Sequence, residues 1–484
     1  MYKRASQGRG PRLLHAEFAI NARPETVAAR FRGTLKSWGY LVPPSGLTKG
    51  LRKSIEGLIK ADVPIIVDNG LFDDITRISN ELAAGISGTK AALAAEEARL
   101  GRTPAWRDLT KSIAKKRLKL ADLLAVEARV ARGMDLLDQL ALGTNGVIGA
   151  EDITAALWLR AGLDSPAMPM ARQELRRRNR AVATAASKTV KSLPAKVRPT
   201  YLPVASAFDY DSAYDAGEAF AAAGLRGAAM GFGAFMADNS FTDRIVVNRS
   251  TRRLHRPLPM RYLRTALVAR GFWDGWRESA GQAPRRFHFL GLAAPIMVPL
   301  VAVAARGTPL LSFDATSPIR DAVEGTLYSS VGAYLKIRTR KLAWRLATGQ
   351  LRSWSCPCGF CHAFARQYPF DYVRGRRWGS DHPNSEDVGA ATLQPGGDLY
   401  TAYPLMSEPR GGERRKAVSY ARSGHNHWVV SEVMRDLRKH GKSRATLEKH
   451  VARIVDLYQR ATSDSHFAEA VSLGFDIVRG RFPE

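Results

Sequence analysis

The sequence predicts an α/β fold, a parallel sheet closed into a (β/α)8 barrel of the TIM type, on three observations. Six short apolar runs each end in a polar or glycine-containing turn: "VPIIVDNG" (63–70), "NGVIGAED" (145–152), "PTYLPVAS" (199–206), "GAAMGFGA" (227–234), "FHFLGLAA" (287–294) and "TPLLSFDAT" (308–316). The runs are followed by stretches of helical character, such as "DYDSAYDAGEAFAAAGL", and strands that alternate with helices make a parallel sheet. A chain of 484 residues is long enough to close such a barrel and carry helical insertions.

In chain order, residues 1–60 read as a basic arm and lead-in. Their opening "MYKRASQGRGPRLLHAEF" is cationic but has no apolar core, so it is not a secretory signal. The barrel is expected over 61–350. Residues 80–141, rich in Ala, Leu, Lys and Glu, read as a helical insertion, and 170–193 as a strongly basic helix. The uncharged run "FLGLAAPIMVPLVAVAA" (289–305) holds two prolines and a glycine and is barely long enough to span a bilayer. It reads as a buried strand running into a buried helix, not as a membrane segment. Residues 351–440 form a separate subdomain with a loop-like, basic stretch at 365–420. Helix returns beyond Asn426, and 441–484 are C-terminal helices.

Charge narrows the partner. Lys and Arg number 73 against 45 Asp and Glu, a formal charge of +28, which points to a polyanion, most often nucleic acid. Basic clusters recur at "LRRRNR" (175–180), "RRLHRPLPMRYLR" (252–264), "KIRTRKLAWR" (336–345), "RGRRW" (374–378) and "RGGERRK" (410–416). Trp344, Trp378 and His255 lie among them and are placed to stack on bases. The alternative for any one cluster is a solvated helix face. With few cysteines and no export signal, the expected compartment is a reducing cytoplasm.

All three cysteines, Cys356, Cys358 and Cys361, fall in "SWSCPCGFCHAF". Residues one apart cannot bridge each other well. A C-x-C-x-x-C cluster converges soft thiolates on one point, as a tetrahedral zinc ion requires, with a fourth ligand to come from elsewhere. Asp68, Glu151, Asp152 and Asp314 sit at strand ends, the positions that a barrel brings to its C-terminal face. Paired carboxylates there suit chemistry at a glycosidic carbon. Each can instead cap the helix that follows it.

The order D-N-G-x-F, F-D-A-T-S-P-x-R, C-x-C-x-x-C and H-N resembles the tRNA-guanine transglycosylase superfamily. That resemblance implies Asp68 of "DNGLF" as general acid/base and Asp314 of "FDATSPIR" as nucleophile, with Pro318 and Arg320 in register. It implies a structural zinc held by Cys356, Cys358, Cys361 and His425 of "SGHNHW", with His427 and His362 as alternatives and an insertion over 365–420. It also implies that Asp152, or Glu151, reads the guanine edge, and that Asn69, Phe72, Ser206, Gly231, Gly233 and Arg320 line the substrate site.

The sequence departs from the family at Asn69 and Leu71, and "VASAF" (204–208) replaces V-Q-G-G, so the usual base-contacting Gln is missing. These departures, the insertions and the charge fit the branch that modifies DNA, the Dpd-type DNA 7-deazaguanine transglycosylases. The implied activity exchanges guanine in DNA for a free 7-deazaguanine base such as preQ0, with an associated ATPase as a further partner and no membrane. The alternatives are the same chemistry on tRNA and an inactive nucleic-acid-binding barrel.

Overall fold

The computed structural model describes residues 15–21, 23–31, 39–42, 48–68, 145–149, 151–152, 168–236, 238–329, 334–370, 393–397, 399–462 and 465–483. The expected insertion at 80–141, the first residues of the basic arm, "RGRRW", Asn69 and Phe72 lie outside them.

Nine strands form one parallel sheet: β1 (His15–Asn21), β2 (Gly39–Val42), β3 (Ile65–Val67), β4 (Gly146–Ile148), β5 (Tyr201–Leu202), β6 (Val204–Ala205), β7 (Gly227–Gly231), β10 (Arg286–Leu290) and β11 (Leu310–Asp314). Their order is β5-β4-β3-β2-β1-β11-β10-β7-β6. The two ends of this order, β5 and β6, are separated in the chain by Pro203 alone, so the sheet curls into a nearly closed barrel. Proline has no N–H to give a ladder, and the break falls there. Its carbonyl still accepts from Ala229 N at 2.8 Å, which ties β6 to β7.

All six apolar runs are strands. The stretch 1–60 is more than a lead-in, a correction to the sequence reading. It supplies β1 and β2 together with the helices Pro24–Phe31 and Lys49–Lys60, and β1 pairs with both β2 and β11. An antiparallel hairpin, β8 (Phe241–Val247) with β9 (Ser250–Pro259), follows β7, and a short pair, β12 (Thr326–Tyr328) with β13 (Lys336–Arg338), follows β11.

Strand side chains alternate between two faces, and here each face has its own cluster. Inward lie Ala19, Leu41, Ile66, Ile148, Leu202, Val204 and Ala229, with Leu290 packed on them. Outward, Phe18, Tyr40, Ile65, Met230, Phe287, Phe289, Leu311 and Phe313 join the core shared with the helices. The run at 289–305 is the end of β10 and the fully buried helix Met297–Ala304. Among the described residues no helix is long and apolar enough to cross a membrane. The basic helix is present as Met168–Ser192, and the C-terminal helices Arg444–Ala461 and Ser465–Arg479 pack into the outer core.

A second apolar cluster, with Leu327, Leu342, Leu346, Phe364, Tyr403, Leu405 and Met406, encloses the three cysteines. Its long helix runs Gly412–His440, so His425 and Asn426 lie mid-helix and not at a helix start. Gly424 lies within this helix where the ring of Phe360 packs onto it: a Cβ there would meet that ring at 2.2 Å, so the close approach requires glycine. "RGGERRK" is thus mostly the first turn of a helix.

Candidate active site and metal centre

The inward phase of the barrel carries polar groups at its C-terminal end. In β11 the phase of Ser312 and Asp314 is inward, because Asp314 is the register partner of Ala19. In β10 it is His288, partner of both Ala229 and Ser312. Asp314 Oδ1 accepts from His288 Nε2 at 3.1 Å and from the Gly291 N–H at 3.1 Å. The other ring nitrogen of His288, Nδ1, lies 2.8 Å from Ser312 Oγ. An ionised carboxylate can only accept, so Nε2 carries the proton and Nδ1 accepts from the serine hydroxyl. His288 is fully buried, while the Asp314 side chain keeps 13% exposure. Among the described residues Oδ2 has no hydrogen bond. Gly291 holds φ at +73°, a conformation that favours glycine. A Cβ there would also crowd Gly233, 3.0 Å from its Cα, so Gly233 and Gly291 let β7 and β10 end side by side.

Asp68 directly follows β3. It continues the inward phase of Ile66, is 9% exposed, and its N–H donates to Val42 O at 3.0 Å. Ser206 continues the phase of Val204, its backbone clipped at both ends by the buried Asn179 amide, Ser206 N to Oδ1 at 3.0 Å and Nδ2 to Ser206 O at 2.8 Å. Gly231 ends β7 on the same phase, paired with Leu290. Asp68, Ser206, Gly231 and Asp314 therefore point toward one end of one barrel. Asp152 follows β4 and is paired with Arg178 of the basic helix at 2.9 Å; Arg178 also bonds Glu174 at 2.9 Å. Glu151, its neighbour, is half-buried. Arg320 points outward instead, 64% exposed and 3.9 Å from Glu324.

His288 and Gly291 were missed in the sequence. The available signal was a histidine between two phenylalanines in "FHFLG", a polar residue on the inward phase of an apolar strand.

The cysteines close on one histidine. Nδ1 of His425 lies 3.2, 3.6 and 3.5 Å from the Sγ atoms of Cys356, Cys358 and Cys361. All four are buried, and their ligand atoms lie within 4.8 Å of one another. A tetrahedral ion with metal–sulfur bonds of about 2.3 Å and a metal–nitrogen bond of about 2.0 Å sets sulfur–nitrogen separations of about 3.5 Å. The four residues sit close enough to hold a metal ion. Nε2–H of His425 donates to Tyr328 O at 2.7 Å, which fixes the tautomer with Nδ1 free to ligate. Hydrogen bonds from Cys356 and Cys361 hold the Cys358 thiol far below its usual range, while those from Cys356 and Cys358 hold Cys361 far above. A bound cation removes that conflict by favouring thiolates throughout.

His427 does not join: its Nδ1 bonds Ser423 O at 2.7 Å. His362 is exposed. Asn426, beside the ligand, links the metal centre to the barrel. It accepts from Tyr328 N at 2.9 Å and donates to Pro318 O and Thr326 O at 3.1 and 3.0 Å. Pro318 belongs to the helix Ser317–Val323 that leaves the Asp314 strand.

Much of the positive charge is already neutralised. Arg176 reaches Asp215 and Glu218, Lys336 bonds Asp321, and Arg340 bonds Glu408. Arg414 stacks on Tyr400, 3.7 Å from its ring centre. Trp344 is partly buried against the cysteine cluster, and His255 pairs with Glu469 at 2.9 Å.

No protein-family model and no curated protein matches the chain.

Proposed function

We propose that the protein is a base-exchange transglycosylase of the guanine transglycosylase type, acting on DNA to replace guanine by a 7-deazaguanine such as preQ0. The observation that carries the reading is the state of Asp314: one oxygen is held by His288 and Gly291, and the other has no hydrogen bond among the described residues, at the barrel end toward which Asp68 also points. Counting β5 and β6 as one strand interrupted at Pro203, the barrel is the eight-stranded (β/α)8 form, whose chemistry sits at that rim.

The target deoxyguanosine leaves the base stack to reach the rim. Asp314 Oδ2 attacks C1′ as the C1′–N9 bond breaks, giving a covalent glycosyl-enzyme. His288 does not touch the substrate; it holds Oδ1, and with it the plane of the carboxylate. Asp68 supplies the proton to the departing guanine. It then takes the proton from the incoming base, whose nitrogen attacks C1′ and releases Asp314, with net retention. One N-glycosidic bond replaces another, so no activated phosphate donor is consumed. Asp152, oriented by Arg178, is placed to read the base edge.

The metal is read as zinc. Four protein ligands leave no open position for water, so its role is structural: it fixes the subdomain whose Asn426 braces the helix after Asp314.

The test is incorporation of labelled 7-deazaguanine into duplex DNA, single-stranded DNA and tRNA under one buffer. Incorporation into DNA is expected. Incorporation into tRNA alone would move the substrate to tRNA, and none with any acceptor would leave an inactive nucleic-acid-binding barrel.

A further inference from the structure

The hairpin β8–β9 is built against its own stability. It leaves the C-terminal end of β7, the edge of the barrel that carries Asp314. Its inner face, Ile245, Val247, Leu254 and Leu258, is buried. Its outer face sets Arg244 directly opposite Arg253, both exposed, and like charges facing each other across an antiparallel pair repel. The turn adds a third guanidinium. Asn248 and Arg249 both hold positive φ, 53° and 61°, a two-residue turn whose second position ordinarily takes glycine. The Arg249 N–H donates to Asp211 at 2.9 Å, in the first turn of the helix that follows β6, which fixes the tip at the rim.

Neighbouring basic side chains have partners within the protein. Arg256 and His255 share Glu469, at 2.6 and 2.9 Å, and Arg252 donates to Pro483 O at 2.7 Å. Among the described residues Arg249 and Arg253 make no ion pair, and Arg244 reaches only Asp243, at 3.9 Å. Arg249 stands in the strained, exposed turn and the Arg244–Arg253 pair three residue pairs further along the same ribbon, a row of like charges that an external polyanion stabilises.

Resting on the reading of DNA as substrate, we infer that this hairpin is a phosphate-binding ribbon: Arg244, Arg249 and Arg253 grip the backbone of duplex DNA while the target base enters the rim. Such contacts set position and register and carry no sequence preference.

The test uses the full-length chain with Arg244→Gln/Arg253→Gln and, separately, Arg249→Gly. Affinity for a mixed-sequence DNA duplex is measured by fluorescence anisotropy between 50 and 200 mM salt, beside thermal unfolding. For the double variant the expected result is affinity at low salt weaker by about tenfold or more, and a log–log salt slope shallower by about two. Arg249→Gly should shallow it by about one while raising Tm, because glycine suits the turn. A hairpin with a purely structural role predicts unchanged affinity. If wild type binds DNA and both variants match its affinity and slope, the ribbon is overturned and the functional reading stands. If wild type binds no DNA, both fall.

Discussion

The metal centre and the barrel rim are opposite in design. At the metal centre three cysteines and a histidine turn every ligand atom inward, and the four are almost wholly buried. At the rim the Asp314 side chain keeps 13% exposure, though Asp68 is buried, and one oxygen of Asp314 is left without a protein hydrogen bond among the described residues. A closed set of donors stores folding energy; an open one does chemistry. Asn426 joins them, one residue from His425 and bonded to the helix that Asp314 feeds. The comparison predicts separable failures: damage to the cluster should cost fold and metal, and damage to the rim should cost turnover alone.

The largest expected effect is at the cluster. Cys358→Ser should lose the metal and yield aggregated or protease-sensitive protein, since binding energy at such a site is folding energy. Elemental analysis of wild type should find zinc at near-unit occupancy; its absence would remove the closed half of the comparison. Next come the carboxylates. Asp314→Asn should abolish exchange with Tm nearly unchanged, because the amide Oδ1 still accepts from His288 and Gly291. Asp68→Asn should cost about 10²–10⁴-fold, the usual worth of a positioned proton donor.

His288 sharpens the boundary between holding and reacting. His288→Leu should lower kcat by about 10–100-fold with KM little changed, as expected when a reacting group is misplaced. His288→Gln, which keeps a donor near the Nε2 position, should recover much of that loss; equal damage by both would mean that the ring only fills space. The smallest effect on turnover is expected at the brace. Asn426→Ala leaves the Tyr328 N–H and the Pro318 and Thr326 carbonyls short of a partner, at about 1–3 kcal/mol for each group left unsatisfied. Calorimetry should show the lowered Tm while exchange at low temperature stays within a few-fold of wild type.

The same contrast explains what the sequence could tell. The cysteine cluster was legible because three ligands lie within six positions, and spacing alone converges them. The aspartates were legible as strand ends, but their partner was not. His288 and Asp314 are 26 residues apart and meet only through the β10–β11 register. β1 and β2 were missed for a related reason. "GYLV" has only four residues, and "HAEFAIN" keeps Glu17 and Asn21 within the strand, so neither stands out as an apolar run without its neighbours. The long helix was started too late because the Gly and Arg of "RGGERRK" give its first turns a loop-like composition. The hairpin's alternation of Leu254 and Leu258 with arginines was present in "RRLHRPLP", but the charge drew it toward a basic cluster and away from a strand.

The central claim is that Asp314 is the attacking group at the barrel rim. Wild-type protein is incubated with guanine-containing DNA and no incoming base, denatured, digested and mapped by mass spectrometry. The account predicts a covalent deoxyribosyl–DNA adduct on the peptide that contains Asp314, absent from Asp314→Asn. An adduct on the Asp68 peptide would reverse the two roles, and near wild-type exchange by Asp314→Asn would reduce Asp314 to a strand-end carboxylate with no part in the chemistry.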